Sequence, residues 1–534
     1  MKKSIYLVGA LLFSGVVLAQ KGRPENWYLL DPSADKVYGA GIEEAYKTLG
    51  ERKGEKVIVA VIDSGVEVDH EDLKDVIWTN EDEIPNNGID DDKNGYIDDV
   101  HGWSFLGGAK EDINYEALEL ARIYQDLEPK YSSLQEYEVP GDKKEEYKYW
   151  LKIQVEYEEE MNANMQQYQT MLLLLDYMDR VEKQTNQSFS KAANKAYDPG
   201  ENGTDQQLQK IMKLILLGSD PGSLRDELEH GAEAYGGMVE YSLMDADSLR
   251  RAVVGDNPDD LTEKFYGCNR YEGPDAMHGS HVSGIIAASR TNDLGIIGEA
   301  KNVEIMVLRA VPNGDERDKD VANAIYYAVD NGAKVINMSF GKYYSPNKDA
   351  VDAAVKYAQD HDVLLVHAAG NDAKNKDVED SYPMRYLNDG SEVTNWLEVG
   401  ASSYKKGKNL IASFSNYGKT KVDLFAPGVD IHSTVPDQKY EDASGTSMAS
   451  PSAAGVAAII RSYFPELTAA EVRDVMMKTV VPYKGKVLLP GGEVVETKKG
   501  PKTKKTKVTL EEISITGGFV NCNNAVKYLM EQGK

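Results

Sequence analysis

Three segments of the chain carry residue types that together could perform nucleophilic catalysis. Asp63 directly follows the apolar run Val57–Ile62, His278 opens a helical pattern, and Ser447 lies in the run Gly445–Pro451. An aspartate can orient a histidine, and the histidine can take the proton of a serine hydroxyl that attacks a carbonyl carbon. The residue types therefore predict a triad of Asp63, His278 and Ser447.

Each segment taken alone has a simpler interpretation. Asp63–Gly65 is also a good turn sequence, and Ser447 could be an ordinary helix cap. His278 and His281 are three positions apart on a predicted helix and could bind a metal, but no further ligand pattern accompanies them. We expect His278 to be the general base and His281 to point into the interior.

The remaining chain alternates predicted strands and helices. Five apolar runs are typical of strands buried on both faces of a parallel sheet: Val57–Ile62, Val303–Val311, Ala333–Phe340, Val363–Ala369 and Val422–Phe425. Helical patterns separate them at His278–Ala288, Lys319–Asn331, Lys348–Asp360, Ser447–Tyr463 and Thr468–Thr479. This alternation predicts an α/β fold with a mostly parallel sheet, in which strand ends and helix starts position the candidate residues.

The stretch 107–262 departs from this alternation and predicts an all-helical insertion. Its apolar positions step by three and four residues, as on one face of a long helix: Tyr157, Met161, Met165, Tyr168, Leu172 and Leu175. No second catalytic set is recognisable within it. We expect the insertion either to control access to the active site or to act as a spacer.

In their order along the chain, the Asp63, His278 and Ser447 segments resemble the signature blocks of the subtilase family of serine peptidases. The run Gly445–Pro451, with the sequence GTSMASP, is the most diagnostic block. The resemblance covers roughly 37–105 and 263–534. It implies a subtilisin-like three-layer fold, with 20–106 and 263–534 as the two parts of the catalytic domain, and an endopeptidase that hydrolyses protein or peptide substrates through an acyl-enzyme.

Two further blocks extend the resemblance to the substrate cleft. Ala368–Asn371 is similar to the block whose asparagine donates to the oxyanion, which implies that role for Asn371. Asn337–Gly341 resembles the strand that pairs with substrate and lines the S1 pocket. The implied substrate-binding residues are Ser339, Phe340, Gly341, Ala369 and Gly370. Phe340 stands where leucine is more common, and the insertion accounts for the long interval between Asp63 and His278. A peptide-binding pseudoprotease occluded by the insertion is the alternative function.

An acidic segment upstream of the insertion predicts a calcium site. Oxygen-bearing residues recur at positions 1, 3 and 5 of the segment, glycine stands at position 6, and acids stand at positions 9 and 10, which reproduces the start of a calcium loop. The predicted ligands are Asp90, Asp92, Asn94, Tyr96, Asp98 and Asp99. Position 12 is His101 rather than glutamate, so Asp98 or Asp99 must close the shell. A solvated acidic turn is the alternative.

Composition and the amino terminus limit the partners and the compartment. The net charge of −28 excludes nucleic acid as an expected partner, because phosphate binding requires clustered cations. Residues 1–19 combine two lysines with an apolar run that ends at Ala19, which predicts a signal peptide and export to the periplasm or the medium. No later run is long enough to predict a membrane span. The two cysteines, Cys268 and Cys522, could form a disulfide or remain buried thiols.

Overall fold

A computed structural model describes residues 23–216, 221–497 and 500–534. The predicted signal peptide, 1–19, lies outside these residues. Nine strands form one sheet in the order β10-β15-β7-β6-β5-β4-β1-β3-β2, and only the β10–β15 pair is antiparallel. Their bounds are β1 Val57–Asp63, β2 Gly102–Ser104, β3 Val303–Arg309, β4 Val335–Met338, β5 Leu364–Ala368, β6 Trp396–Ser402, β7 Leu424–Pro427, β10 Val481–Pro482 and β15 Gly518–Phe519. The predicted α/β fold with a mostly parallel sheet is confirmed.

Three hairpins or strand pairs lie outside this sheet. They are β8 (Ile431–Val435) with β9 (Lys439–Ala443), β11 (Val487–Leu488) with β14 (Lys507–Val508), and β12 (Glu493–Thr497) with β13 (Gly500–Lys504). All five predicted strands are present, but the prediction omitted β6, which is fully buried in the centre of the sheet. Glu398 interrupts the apolar run of β6, so its sequence does not read as a buried strand.

The described helices of the catalytic part are α1 Ile42–Leu49, α8 Met277–Ala287, α9 Asp318–Asp330, α10 Lys348–Asp360, α11 Thr446–Tyr463, α12 Ala469–Lys478 and α13 Cys522–Glu531. The five helices predicted above correspond to α8 to α12 and agree with them to within one residue at each end, whereas α13 was not predicted. Strand β1 shows how they form layers. Its residues Val59 and Val61 pack in one apolar cluster with residues of α8 and α11. Ala60 and Ile62 pack in a second cluster with residues of α9 and α10. Because alternate residues of β1 thus contact helices on opposite faces of the sheet, the structure has the predicted three layers, with helices on both sides of the sheet.

The segment between β2 and α8 contains helices and no strand among its described residues. Its helices are α2 Glu119–Tyr131, α3 Lys144–Thr185, α4 Lys191–Ala196, α5 Gly203–Ile215, α6 Pro221–Tyr241 and α7 Ala246–Val253. The described chain divides into two compact units, one formed by 115–246 and the other by 23–114 together with 247–534. The all-helical insertion between the Asp63 and His278 blocks is thus present.

The long insertion helix α3 buries the face that its sequence predicts only in part. Met165 and Leu172, both on the predicted apolar face, are exposed. The buried residues of the second half of α3 are instead Leu174, Tyr177, Met178 and Val181, which pack with α5 residues such as Leu208. In a helix rich in apolar residues on several sides, periodicity does not decide which side meets a neighbour.

A buried ionic cluster joins α7 to α9 within the catalytic unit. Arg250 is fully buried and bonds Asp256 at 2.8 Å and both carboxylate oxygens of Asp320 at 2.7 and 2.8 Å. The Tyr266 hydroxyl donates to Asp320 at 2.6 Å. Because each buried charge has a partner, the cluster fixes α7 to α9 just where the chain returns from the insertion.

Cys268 and Cys522 are both buried and both free, so no disulfide joins them. Among the described residues, no helix is both long enough and apolar enough to cross a membrane.

Candidate active site

The site lies where the chain order of the sheet reverses. β1 is flanked by β3 on one side and β4 on the other, and β5 follows β4. Asp63 ends β1, Ser339 directly follows β4, and Asn371 closely follows β5. Because these strands are parallel, their carboxyl ends meet at one edge of the sheet, beside the reversal, where open α/β sheets form their crevices. Topology thus gathers three of the predicted residues at one edge.

Asp63 and His278 form a direct pair. Nδ1 of His278 lies 2.7 Å from Oδ1 of Asp63, which also accepts the backbone N–H of Ser64 at 2.8 Å. Burial by itself lowers the pKa of His278, but the charge and hydrogen bond of Asp63, with a smaller contribution from Asp275, outweigh burial and raise that pKa above its ordinary value. The bond through Nδ1 leaves Nε2 as the proton-accepting atom of the neutral ring.

Two glycines, Gly279 and Gly65, allow the Asp63–His278 pair to form. A Cβ on Gly279 would lie 2.1 Å from the carbonyl oxygen of Gly65, so only glycine lets α8 approach the chain that leaves β1. A Cβ on Gly65, whose φ is 125°, would lie 2.0 Å from the Glu272 carbonyl oxygen. Ser280 then secures the approach, because its Oγ accepts the backbone N–H of Glu67 at 2.9 Å.

His281, the second histidine of α8, lies in the interior as expected. It is buried, and its Nε2 lies 3.1 Å from the carbonyl oxygen of Ile431 and 3.2 Å from that of Glu441. Burial lowers the pKa of His281 to about 4, so the ring is neutral near pH 7 and serves to hold α8 against the β8–β9 hairpin.

Ser447 occupies the first turn of α11. Its hydroxyl donates to the carbonyl oxygen of Ser339 at 3.1 Å. The Ser339 hydroxyl in turn contacts the Ser447 carbonyl oxygen at 3.0 Å and the Ser450 hydroxyl at 2.8 Å. The side chain of Ser339 therefore anchors the start of α11, which sets the position of Ser447 relative to the end of β4.

Asn371 is oriented by the residue before Ser447. Its Oδ1 accepts the Thr446 backbone N–H at 2.8 Å and the Thr446 hydroxyl at 3.0 Å, and that hydroxyl accepts the Gly370 N–H at 3.0 Å. Both acceptor bonds use Oδ1, so Nδ2 faces away from Thr446. The sequence analysis predicted a role for Asn371 but missed Thr446, the residue that orients it.

Two hydrogen-bond donors flank one small space in front of Gly445. A Cβ on Gly445 would lie 3.5 Å from the Ser447 backbone nitrogen and 3.6 Å from Nδ2 of Asn371. As a first-turn N–H of α11, that of Ser447 has no partner within the helix. A developing oxyanion placed in this space could receive both donors and the positive end of the helix.

A solvent-open cavity of about 260 Å³ adjoins this space. All five predicted substrate-binding residues and Asn371 and Ser447 line it. It is also lined by His367 and Ser381, which the sequence analysis missed. The available signal was a histidine within the otherwise apolar strand β5, and Glu398, which pairs with His367 across β5 and β6, is an equally unusual acid in a buried strand.

The acidic segment brings only some of its predicted ligands together. Oxygen atoms of Asp90, Asp92 and Glu83 lie within 4.8 Å of one another, and Glu83 was not predicted. Asp98 is engaged elsewhere, because its oxygens accept the backbone N–H groups of Asn87 and Gly88, both at 2.9 Å.

The other predicted ligands of this segment take part in side-chain packing and hydrogen bonds. Asp99 accepts from Asn80, Asn94 and Tyr327 at 2.5–3.0 Å. The Tyr96 ring is buried against Trp103, so only its carbonyl oxygen could serve a metal. Three carboxylates that converge are nevertheless a donor set suited to Ca²⁺.

The sequence of this chain also matches a known protein family. The model of the subtilase family matches residues 54–510. This chain is a member of the subtilase family.

Three similar proteins illustrate the relationship. A thermophilic serine proteinase of Bacillus sp. (strain AK1) is 44% identical over 187 residues, which are 35% of this chain and 42% of that protein. Subtilisin DY of Bacillus licheniformis is 35% identical over 204 residues, 38% of this chain and 69% of that protein. A protease structure from Pseudoalteromonas arctica PAMC 21717 aligns over 94% of this chain and 97% of its own, with 17% identity and a TM-score of 0.46. The match to the AK1 proteinase thus spans less than half of that relative.

Proposed function

We propose that this subtilase is an exported serine endopeptidase that acts through Asp63, His278 and Ser447. The observation that carries the proposal is the 2.7 Å bond between Asp63 and Nδ1 of His278, at the sheet edge where Ser447 and Asn371 also lie. A buried carboxylate that orients an imidazole in this way favours the neutral ring with Nε2 free to accept a proton. Membership of the family and the serine proteases among its relatives support the same reaction.

The mechanism follows from the roles of these groups. Ser447 exchanges its bond to the Ser339 carbonyl oxygen for one to His278, gives its proton to Nε2 and attacks the peptide carbonyl carbon. Asn371 Nδ2 and the Ser447 N–H stabilise the oxyanion of the tetrahedral intermediate. His278 then protonates the leaving amine. In deacylation water attacks the acyl carbon and gives its proton to Nε2 of His278, which passes it to Oγ of Ser447 as the ester bond breaks. Asp63 keeps the imidazole in the required tautomer throughout.

We also propose that the acidic loop binds calcium as a structural ion. Glu83, Asp90 and Asp92 would hold it, because their oxygens converge. The ion would supply no chemistry to the reaction; it would relieve repulsion among the carboxylates and stabilise the loop that leads towards the insertion. The proposal that the protein is exported is based on the signal-peptide pattern of residues 1–19.

A fluorophosphonate probe tests the proposal directly. Wild-type protein should label at Ser447, and Ser447→Ala should neither label nor cleave casein while keeping the wild-type circular dichroism spectrum. Ser450→Ala, a neighbouring serine of the same helix, is the matched control for labelling. Labelling at another residue, or a tenth of normal activity in Ser447→Ala, would contradict the assignment. Folded wild-type protein that neither labels nor cleaves would favour the peptide-binding pseudoprotease.

A further inference from the structure

A buried group of three ionisable side chains lies behind the cavity wall. His367 and Glu398 are register partners in the adjacent strands β5 and β6, and Nδ1 of His367 lies 3.1 Å from both oxygens of Glu398. Glu398 also bonds the Lys376 ammonium and accepts from the Trp396 indole at 2.8 Å. His367, Glu398 and Lys376 are all at least 95% buried. Such a group is costly to bury unless its charges are paired.

The charges of this group determine the tautomer of His367. Burial by itself raises the pKa of Glu398, but the ammonium of Lys376, followed by the charge and hydrogen bond of His367, outweighs burial and lowers that pKa to about 2, so Glu398 is ionised. His367 donates to the Glu398 carboxylate through Nδ1, so in the neutral imidazole Nε2 is the hydrogen-bond acceptor.

That acceptor is buried and has no hydrogen-bond partner in the described chain. His367 lines the cavity, and a Cβ on Gly341, a predicted substrate-binding residue, would lie 3.5 Å from Nε2. A buried acceptor without a partner carries a desolvation cost that a suitable ligand group would remove. Nε2 thus behaves as an unfilled acceptor at the cavity wall.

Ser381 places a donor in the same cavity. Its Oγ accepts the Lys376 ammonium at 2.6 Å, so an ammonium donor already occupies one of its lone pairs. Among the described residues, the hydrogen of the Ser381 hydroxyl has no acceptor. Ser381 is buried and lines the same cavity as His367. The cavity therefore offers one acceptor and one donor to an incoming side chain.

We propose that His367 and Ser381 make this cavity selective for tyrosine over phenylalanine at P1, the substrate residue before the cleaved bond. The inference rests on the proposed endopeptidase function. A phenol can donate to Nε2 of His367 and accept from the Ser381 hydroxyl, whereas a phenyl ring leaves both groups unsatisfied. A pocket that hydrogen-bonds a substrate hydroxyl rejects the analogue that lacks it.

Charged P1 side chains fit the same pair of groups poorly. A carboxylate cannot donate to Nε2, and an ammonium cannot accept from Ser381 and would approach the Lys376 ammonium. The selectivity therefore distinguishes tyrosine from glutamate and lysine as well as from phenylalanine.

The test compares tetrapeptide anilides that differ only at P1, with Tyr, Phe, Glu or Lys. Wild-type enzyme should give a Tyr:Phe ratio of kcat/KM of about 10 or more, because an unsatisfied buried polar group costs roughly 1–3 kcal/mol. His367→Phe keeps an aromatic ring but removes the acceptor, and should lower the ratio well below the wild-type value, with the Phe substrate still cleaved. Ser381→Ala should give an intermediate ratio. His361→Phe, the same change at an exposed histidine, should leave the ratio unchanged.

Binding to inactive protein separates this inference from the proposed function. Peptides that end in Tyr or Phe should bind Ser447→Ala with the same preference in calorimetry, and Ser447→Ala/His367→Phe should lose it. If wild-type protein cleaves nothing but shows this preference, the endopeptidase proposal fails and the selectivity stands. A Tyr:Phe ratio near 1 in the wild type, a preference for glutamate, or a ratio unaffected by His367→Phe would overturn the selectivity.

Discussion

Nδ1 of His278 lies 2.7 Å from Oδ1 of Asp63, although 215 positions of sequence separate the two residues. This contact affects the protonation of the proposed general base, because Asp63 raises the pKa of His278 against the opposing effect of burial. His278 must be neutral to accept a proton, so activity should fall as the pH drops below that pKa.

Asp63→Asn should therefore shift the acid limb of the kcat/KM profile to lower pH, since burial then acts without the opposing charge. It should also reduce kcat by about 10⁴, the loss known when a triad aspartate is replaced by asparagine. Asp275→Asn removes only the smaller charge contribution and should shift the limb slightly with little loss of rate. An acid limb that stays in place in Asp63→Asn would contradict the role of this pair.

The two donors in front of Gly445 should act mainly on the transition state. Asn371→Ala should reduce kcat by about 10²–10³ with little change in KM, the size known for an oxyanion donor of subtilisin. Gly445→Ala should also reduce kcat, because its methyl group would enter the space between the donors while its φ of 175° accepts alanine. Steady-state kinetics of each variant measure the change in kcat separately from the change in KM. A rise in KM at constant kcat in either variant would place these residues in ground-state binding instead.

Lys376→Met should destabilise the catalytic unit by about 3–5 kcal/mol near neutral pH, because it leaves Glu398 buried without its ammonium. The folded-state pKa of Glu398 is depressed, so the pair stabilises above the ordinary glutamate pKa, and this contribution is lost as pH falls towards about 2. Urea unfolding at several pH values should show the difference between the two proteins narrowing in acid. Lys356→Met, at an exposed pair with Asp360, should cost less than about 0.5 kcal/mol and is the control.

The acidic loop should make stability depend on calcium. A metal that binds only the folded state stabilises it by about 2.7 kcal/mol at a hundredfold excess over Kd. Calcium should therefore raise the wild-type Tm above its value in EGTA, and Asp92→Asn should abolish the difference. Asp98→Asn should keep the difference, because Asp98 bonds the Asn87–Gly88 turn rather than the converging oxygens. Equal wild-type Tm values in calcium and EGTA would favour the solvated turn.

The two ends of the insertion attach to one segment near the active site. Asn114 accepts from the backbone of Asn313 at 2.8 Å, and Asp247 pairs with Arg317 at 2.6 Å. Asn313 also donates to Asp275 at 3.2 Å, three residues before His278. A short Gly/Ser linker in place of 115–246 should therefore preserve the catalytic unit, including the Arg250 cluster.

If the insertion limits access to the cleft, this deletion should raise the rate on casein relative to that on a chromogenic tetrapeptide. The physical reason is steric, since a folded substrate needs more room than a short peptide. The deleted enzyme must keep the fluorophosphonate labelling of Ser447 for the comparison to count. An unchanged ratio of the two rates would make the insertion a spacer.

Local sequence determined most elements of this protein and was enough to propose its reacting groups. The apolar run Val57–Ile62 is a buried strand, and the five predicted catalytic helices appear within one residue of their predicted bounds, because periodicity and composition are local properties. The motif around Ser447 sufficed to indicate the family. The strand β6 escaped prediction because Glu398 appears in the sequence as a polar interruption. Only the structure shows that Lys376 pairs with its charge and that His367 hydrogen-bonds to it.

Only the tertiary structure decided which distant residues meet. The reversal of strand order beside β1 brings the ends of β4 and β5 to the same sheet edge as Asp63, and parallel register places His367 against Glu398. The same is true of Glu83, which joins Asp90 and Asp92, and of the side of α3 that becomes buried. These outcomes depend on packing between segments far apart in the chain, and such packing leaves no periodic trace in either segment alone.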